Sequence, residues 1–420
     1  MTASPVAADA APRRFAALHV ADYRRYFVLG LMAMMADNIE HVISYWVIFL
    51  TFHSPALAGF AVISHWVPFL LFSVWAGALA DRHDCRRLMQ IGQALFMVAS
   101  AAWALLFMTD TLRVWHAVVL LTLHGFAGVI IAPASQLVLH DMVGRVDLHS
   151  AIRLNATSRH LAILLGPAVG GALLLLLGPA WGLLANVLIY VPFTVLLVRM
   201  PYTGHRTSGV SRIDPRGVGL FATVRVVAEA RHDPRIVTML LLAGVSSFFV
   251  GSAFQAQMPE YAHHFGTGHA RVWYSVLLAA NAAGAVLGAI LLETARVLRP
   301  SPRVAIVCAI AWSATLGLFP WAPGYGAAVT LLVLAGGFNI AFTSMAQTLV
   351  QMLAPAEARG RIVGLFNTAM LGLRAGSGFT VGVVGAAIGV HWSLSLSAAV
   401  VVVIATALLA SRRAAHAASH

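Results

Sequence analysis

The stretch Phe27–Leu50, FVLGLMAMMADNIEHVISYWVIFL, limits the possible folds more than any other part of the sequence. It is long enough to cross a bilayer as one helix, because a span needs about 20 residues. Near its middle it carries Asp37, Glu40, His41 and Ser44, which share one helical face at spacings of three and four residues. A carboxylate at mid-depth costs about 2.5–3.5 kcal/mol, so these side chains need partners or water. We therefore expect this face to line an aqueous cavity.

Apolar stretches of similar length recur along the whole chain. Of its 420 residues, 60% are hydrophobic and 10% are charged, against about 25% charged residues in soluble domains. This composition excludes a soluble enzyme, and the net charge of +12 is not gathered in a basic domain that would bind nucleic acid. The sequence predicts an all-α polytopic membrane protein with twelve transmembrane helices. The predicted spans are 27–50, 57–80, 88–108, 114–139, 151–177, 180–199, 236–259, 271–293, 303–323, 326–352, 361–387 and 390–410.

The spans divide into two halves of six. A polar loop at 200–235, rich in Arg, Gly, Ser and Pro, separates an N-terminal half at 27–199 from a C-terminal half at 236–410, with tails at 1–26 and 411–420. An internal repeat supports this division. A shift of 212 residues lays Gly125-Phe126 on Gly337-Phe338, Leu137-Val138 on Leu349-Val350, Asn155 on Asn367, and Gly166 and Gly170 on Gly378 and Gly382. Two halves with the same topology are typical of parallel-repeat transporters.

The placement of arginine predicts the orientation. Arginines crowd the tails, the central loop and the other loops on the side of the termini, whereas the opposite loops hold only Arg113 and Arg271. By the positive-inside rule, both termini and the central loop are cytoplasmic, and the chain is a multi-pass protein of the cell (inner) membrane.

The short loop after the second span reads Gly77-Ala-Leu-Ala-Asp81-Arg82-His-Asp84-Cys85-Arg86-Arg87. It resembles the signature loop of the major facilitator superfamily, G-x-L-A-D-R-x-G-R-R/K. The resemblance implies the major facilitator fold and a latch that holds the outward-open state and breaks when the two halves rock. The residues that match the latch are Gly77, Asp81, Arg82, Arg86 or Arg87, and Asp141, and Gly77 is expected to permit close approach of a neighbouring helix. Asp84 and Cys85 depart from the pattern in a way familiar from exporters of drugs and siderophores.

The fifth span contains Leu165-Gly166-Pro167-Ala168-Val169-Gly170-Gly171, which is similar to the family's antiporter motif, G-P-x-x-G-G. In the family this motif is associated with exporters that exchange substrate for protons. The alternative is generic packing, because small residues at four-residue spacing let helices approach closely. Together with the segments around Asn155 and Ala358–Gly364, the motif resembles the branch that includes enterobactin exporters.

Other polar side chains within the spans are candidates to line a substrate cavity. They are Ser44, His124, Arg159, Ser252, Gln255, Asn339, Thr343, Gln347 and Arg374. An arginine facing lipid is costly, so Arg159 and Arg374 are expected to face inward and bind an anionic group, or pair with the acids of the first span. The alternatives are snorkelling for Arg159, interhelical hydrogen bonds for the polar stripes of spans 7 and 10, and packing for His124.

No nucleotide-binding loop, dinucleotide motif or catalytic triad is present, and no histidine or cysteine spacing predicts a metal site. Neither enzyme activity nor a cofactor is expected. The hypothesis is a proton-coupled exporter of a small amphipathic molecule, of the drug or siderophore class, with Asp37, Glu40 and His41 as proton carriers. Expected partners are the substrate, protons and the lipid bilayer, with no nucleic acid, and a monomer is usual for the fold. The alternatives are a proton symporter that imports a polar nutrient, and an uncoupled facilitator or sensor.

Overall fold

The computed structural model describes residues 15–205, 231, 233–265, 269–294, 301–355 and 359–417. This part of the chain is helical throughout, without a β-strand. It holds eleven stretches that are long and apolar enough to cross a membrane. The longest, Val146–Arg199, is broken at Gly178, so the described helices fit the twelve predicted spans. Much of the predicted central loop (206–230 and 232) and parts of both predicted tails (1–14 and 418–420) lie outside the described residues.

The N-terminal half contains six long helices. Positive φ angles at Gly144 and Gly178 break the helical stretch Val114–Arg199 into three, because only glycine adopts this backbone region without strain. The helices are α1 Ala21–Phe52, α2 Pro55–Arg82, α3 Cys85–Met108, α4 114–143, α5 145–177 and α6 179–199. Helix α1 begins before the predicted Phe27, because its first turns carry charged residues that extend beyond an apolar span.

The C-terminal half contains six more spanning elements, two of them irregular. The regular helices are α8 Ala270–Thr294, α9 Pro302–Leu318, α10 Tyr325–Leu353 and α12 Val390–Ala417. Element α7 starts as Pro234–Phe249, breaks at Gly251 with a φ of +45°, and continues as Ala253–Ala256 and Met258–Phe265. Element α11 runs from Arg359–Asn367 to Val384–Ile388 through two π-helical turns, Thr368–Gly372 and Gly378–Val383, on either side of Arg374–Ser377.

We call the end of the bundle with the α2–α3 connection and the end of α6 the arginine-rich end, after Arg82, Arg86, Arg87 and Arg199. Buried apolar side chains form two clusters along the bundle axis. The first draws on both halves and includes Trp46 of α1 and Tyr274 of α8. The second belongs to the N-terminal half alone and lies toward the arginine-rich end, around Tyr26 and Met89. The two halves therefore pack together at the opposite end and part toward the arginine-rich end.

The contacts that join the halves at the opposite end are called the gate here. In the gate, α2 meets α11 backbone to backbone: a Cβ atom on Gly59 would lie only 2.7 Å from the Cα of Gly382. The hydroxyl of Tyr274 donates a hydrogen bond to the carbonyl of Val42 at 2.8 Å, and the Gln257 amide donates to the carbonyl of Pro55 at 2.8 Å. The gate thus closes one end of the space between the halves.

Candidate functional site

A cavity of about 450 Å³ lies between the two halves. Its lining extends from Tyr26, near the arginine-rich end, to Tyr45, just below the gate. Helices α1, α2, α4 and α5 of one half and α7, α8 and α11 of the other supply most of the wall. Because the halves part toward the arginine-rich end, the cavity is open on that side and closed by the gate on the other.

The polar residues of α1 do not all face this cavity. Asp37 and His41 line it, with side chains 25% and 16% exposed, whereas Glu40 is 2% exposed and points away from it. Positions three apart on a helix differ by about 60°, which is enough to turn Glu40 toward α3, α4 and α6. Ser44 is also buried and does not line the cavity, and its hydroxyl donates to the carbonyl of His41. The structure differs here from the expectation of one shared aqueous face.

His124 of α4 connects the two carboxylates of α1. Its Nε2 atom lies 2.7 Å from Oδ1 of Asp37, and its Nδ1 atom lies 2.8 Å from Oε1 of Glu40. His124 is buried behind Asp37 and does not itself line the cavity. The imidazole therefore satisfies both acids, which is what carboxylates at membrane depth require.

The buried end of this network continues to α3 and α6. The hydroxyl of Ser100 on α3 donates to Oε2 of Glu40, and the Asn186 amide on α6 donates to the Ser100 hydroxyl at 3.2 Å. Neither Ser100 nor Asn186 was a candidate from the sequence, because single small polar residues in a span are usually interhelical contacts.

Two further histidines meet at the cavity wall. Nε2 of His41 lies 3.1 Å from Nδ1 of His65 on α2, and the His41 ring centroid lies 4.6 Å from that of His124. His65 was not among the candidate residues from the sequence, so this cluster was not predicted. A signal was present: His41, His65 and His124 each lie ten or eleven residues from the end of their helix nearest the gate. At 1.5 Å per residue, all three are about 15–16 Å below that surface.

Four of the other predicted cavity residues line the wall: Arg159, Ser252, Gln255 and Arg374. The guanidinium of Arg374 lies over the ring of Trp66 on α2, 5.3 Å from its centroid, so a charge of one half rests on an aromatic face of the other. Neither Arg159 nor Arg374 forms an ion pair with an acid in the described part of the chain.

The polar stripe of α10 does not line the cavity, contrary to expectation. Asn339, Thr343 and Gln347 are half-buried and absent from its wall. The physical reason is that α10 packs against α8 and α9. In addition, the hydroxyl of Thr343 donates a hydrogen bond to the carbonyl of Asn339 on the same helix.

The antiporter-like motif packs α5 against the helix that carries the acids. A Cβ atom on Gly166 would strike Cβ of Asn38, and one on Gly170 would lie 3.0 Å from Val42. A Cβ atom on Gly171 would lie 3.0 Å from Ser275 of α8, at the gate, and Pro167 lines the cavity. These small residues therefore fix the position of α1 next to Asp37 and Glu40.

Among the described residues, the predicted latch residues form other contacts in this conformation. Asp84 caps α3 and pairs with Arg86 at 3.1 Å, Arg86 also donates to the carbonyl of Met200, and Asp141 accepts from the amide of Gly204 at 2.8 Å. Asp81, Arg82 and Arg87 are exposed, although Arg87 lies 3.9 Å from Asp84. No described atom lies within 4 Å of a Cβ built on Gly77, so the expected close helix approach at that glycine is absent.

Comparison with known proteins places the chain among transporters. A family model described as transmembrane secretion effector matches residues 13–419. The staphyloferrin A transporter of Staphylococcus aureus (strain NCTC 8325 / PS 47) is 25% identical over 177 residues, which span 42% of this chain and 44% of that protein. The macrolide efflux protein A of Enterococcus faecalis is 25% identical over 245 residues, which span 57% of this chain and 71% of that protein. The match to the first relative thus covers less than half of its length.

Solved structures with the same fold are similar over nearly the whole chain. The nucleoside transporter NupG superposes with a TM-score of 0.70 at 13% identity and covers 93% of this chain and 98% of its own. A bacterial homologue of the human lysosomal transporter Spinster, in an inward-facing and unoccupied conformation, gives a TM-score of 0.66 at 15% identity, with 93% and 95% coverage. The chain belongs to the transmembrane secretion effector family of the major facilitator superfamily, and it is a multi-pass membrane transporter rather than an enzyme.

Proposed function

We propose that the protein is a proton-coupled exporter of a small amphipathic molecule that works by alternating access. One observation carries this proposal: the cavity is open at the arginine-rich end, and the Asp37–His124–Glu40 network lies at its closed end. An exporter must receive substrate on the cytoplasmic side and meet its coupling groups deep in the membrane.

The orientation rests on charge. An excess of arginine marks the cytoplasmic side of a membrane protein, which puts both termini and the predicted central loop in the cytoplasm and the protein in the cell (inner) membrane. The open side of the cavity then faces the cytoplasm. In this conformation the protein is ready to take up substrate from inside the cell.

The cavity wall favours a mostly apolar substrate with a few polar groups. Aromatic side chains such as Trp66 and Phe96 line the same cavity as the amide of Gln255 and the hydroxyl of Ser252. Arg159 and Arg374 offer positive charge to a carboxylate or phenolate. Apolar walls with few convergent polar groups are typical of small-molecule sites. Relatives named for staphyloferrin A and macrolides agree with a drug or siderophore substrate.

The coupling groups are Asp37, Glu40 and His41. Asp37 and His41 exchange protons with water in the cavity, and Glu40 is the coupling group at the buried end of the network. An imidazole accepts a proton on one nitrogen and releases one from the other. His124, bonded to a carboxylate at each nitrogen, therefore provides a path between the exposed and the buried acid. Substrate that binds beside Asp37 expels water and thereby alters how strongly the groups of this path bind the proton.

Export then needs the two halves, 27–199 and 236–410, to rock so that the gate opens and the arginine-rich end closes. In that second conformation, Asp81, Arg86 or Arg87, and Asp141 form the latch. The proposed transport unit is a monomer, in which both halves of one chain contribute to the cavity wall.

The test uses inverted membrane vesicles whose lumen is made acidic relative to the medium, with the pH difference reported by a pH-sensitive dye. Addition of erythromycin or staphyloferrin A as the probe should release protons from wild-type vesicles. Asp37→Asn and Glu40→Gln, singly and together, should abolish this release, whereas Asp110→Asn, an exposed acid outside the network, should leave it unchanged. Proton-driven transport that persists in the double variant would overturn the assignment. Substrate accumulation together with protons in right-side-out vesicles would instead support the importer alternative.

A further inference from the structure

Four side chains from three helices converge at the closed end of the cavity. Asp37 and His41 come from α1, His65 from α2 and His124 from α4, and one potential ligand atom of each lies within 4.8 Å of all the others. Within the described residues, this is the one group of three or more His, Cys, Asp or Glu side chains gathered so closely. We propose that the cluster binds a divalent transition-metal ion through three imidazoles and one carboxylate.

The distances suit such an ion. Zinc binds His nitrogen and carboxylate oxygen at about 2.0–2.2 Å in a tetrahedron, which places neighbouring ligand atoms about 3.3 Å apart. In the structure, His41 Nε2 lies 3.1 Å from His65 Nδ1 and 4.0 Å from Asp37 Oδ1, and His124 Nε2 lies 2.7 Å from Asp37 Oδ1. These three values bracket the tetrahedral spacing, and no pair of ligand atoms is more than 4.8 Å apart, so shifts of about 1 Å in each side chain complete the site.

The surroundings of His124 match those of a metal ligand. A ligating histidine usually donates its second ring N–H to a carboxylate, which fixes the tautomer and turns the other nitrogen toward the metal. Glu40 takes this position: its Oε1 atom lies 2.8 Å from Nδ1 of His124, and Ser100 and Asn186 hold its other oxygen in turn. A hydrogen-bonded pair of Asp37 and His124 alone would not require two more imidazoles at the same point.

The ligand types select the class of ion. Three imidazoles and one carboxylate suit zinc and its neighbours in the first transition row, whereas magnesium and calcium prefer shells of oxygen. Four protein ligands fill a tetrahedron, so the site takes the bare ion rather than one still held by a chelator. Asp37 and His41 are partly exposed to the cavity, so the ion can reach the site from the cavity. Export does not require the metal ion, because the proton path through His124 exists without it.

The test is a titration of the purified full-length protein in detergent with Co²⁺, using an affinity tag other than polyhistidine. Four-coordinate Co²⁺ with nitrogen and oxygen ligands absorbs strongly in the visible range. We expect one Co²⁺ per chain with this absorption, displaced by an equimolar amount of Zn²⁺ and unaffected by excess Mg²⁺. Absence of stoichiometric binding to the wild type, or displacement by Mg²⁺, would overturn the proposal while leaving the export assay untouched.

Variants locate the ion. Asp37→Asn and His65→Gln should each abolish the absorption, and Glu40→Gln should weaken Co²⁺ binding about 10–100-fold, because it disturbs only the support of His124. The control is His264→Gln, since His264 and His391 form another close pair of rings, 4.5 Å apart, near the gate. Unchanged gel-filtration and helical circular dichroism establish that the variants fold. Binding that survives both ligand variants, or that is lost in His264→Gln, would contradict the assignment.

Discussion

The gate offers a sharp test of how the two halves move, through the substitution Gly59→Ala. A Cβ atom at this position would lie 2.5 Å from the carbonyl oxygen of Gly378 and 2.7 Å from the Cα of Gly382. Carbon atoms in contact normally lie about 3.5–4.0 Å apart. Helices α2 and α11 must therefore separate by about 1 Å to accept a single methyl group.

The cost falls on one conformation only. Overpacking of this kind costs about 1–3 kcal/mol, and it applies while the gate is closed. Once the gate is open, the methyl group meets no opposing backbone. The equilibrium should therefore shift about 5–150-fold toward the gate-open conformation. The gain in helix propensity from Gly to Ala, about 1 kcal/mol, is the same in both conformations and cancels.

Spin labels at Thr111→Cys and Gly324→Cys report this shift, because both positions lie in loops at the gate end, one in each half. The native Cys85 and Cys308, both buried and free, are replaced by alanine. Gly59→Ala should add a population with a longer interspin distance. Gly326→Ala is the control, since a Cβ there meets no described atom within 4 Å and Gly326 is neither a gate contact nor a latch residue. Identical distance distributions in the wild type and Gly59→Ala would refute the reasoning.

Three further predictions concern single contacts. Tyr274→Phe removes the 2.8 Å hydrogen bond to Val42 in the gate, which is worth about 0.5–1.5 kcal/mol; the spin-label distances should shift in the same direction as in Gly59→Ala but less, and no shift would show that this bond does not hold the gate. Asp84→Ala removes the N-cap of α3 and should cost about 0.5–2 kcal/mol, seen as a lower melting temperature, whereas exposed Asp81→Ala should melt like the wild type. Gly166→Ala forces α5 away from α1 and should lower the melting temperature through a cost of about 1–3 kcal/mol; an unchanged melting temperature would contradict the packing described.

The fold could be predicted from the sequence because the membrane leaves few choices. Length and apolarity identified α1 and the other spans, and the signature loop at Gly77–Arg87 identified the superfamily, which the family match confirms. The irregular elements could not be predicted. The break at Gly251 and the π-helical turns of α11 depend on contacts with other helices, which local sequence patterns do not contain.

The site was partly predictable. The acids of α1 were conspicuous because charge within a span is costly. That Asp37 faces the cavity and Glu40 points away from it depends on how the helix is rotated, which the sequence does not show. His65 was not a candidate, because its contact with His41 becomes evident only when the depths of two helices are compared. The latch of Asp81 and Asp141 depends on conformation, so a sequence pattern cannot tell whether it is formed. The polar stripe of α10 had the right spacing, but Asn339 and Thr343 were placed by packing between helices of the same half.

The network from Asp37 through His124 and Glu40 to Ser100 and Asn186 lies entirely within the N-terminal half. In the proposed mechanism the two halves rock, and the network then moves with its own half while its internal hydrogen bonds stay the same. Its hydration is what would change. Charges interact about four times more strongly at an effective dielectric constant of 20 than in bulk water. A change in the water beside Asp37 would therefore alter how strongly the network binds a cation without moving any of its atoms. On this proposal, hydration of Asp37 rather than a rearrangement of the network distinguishes the two sides of the membrane.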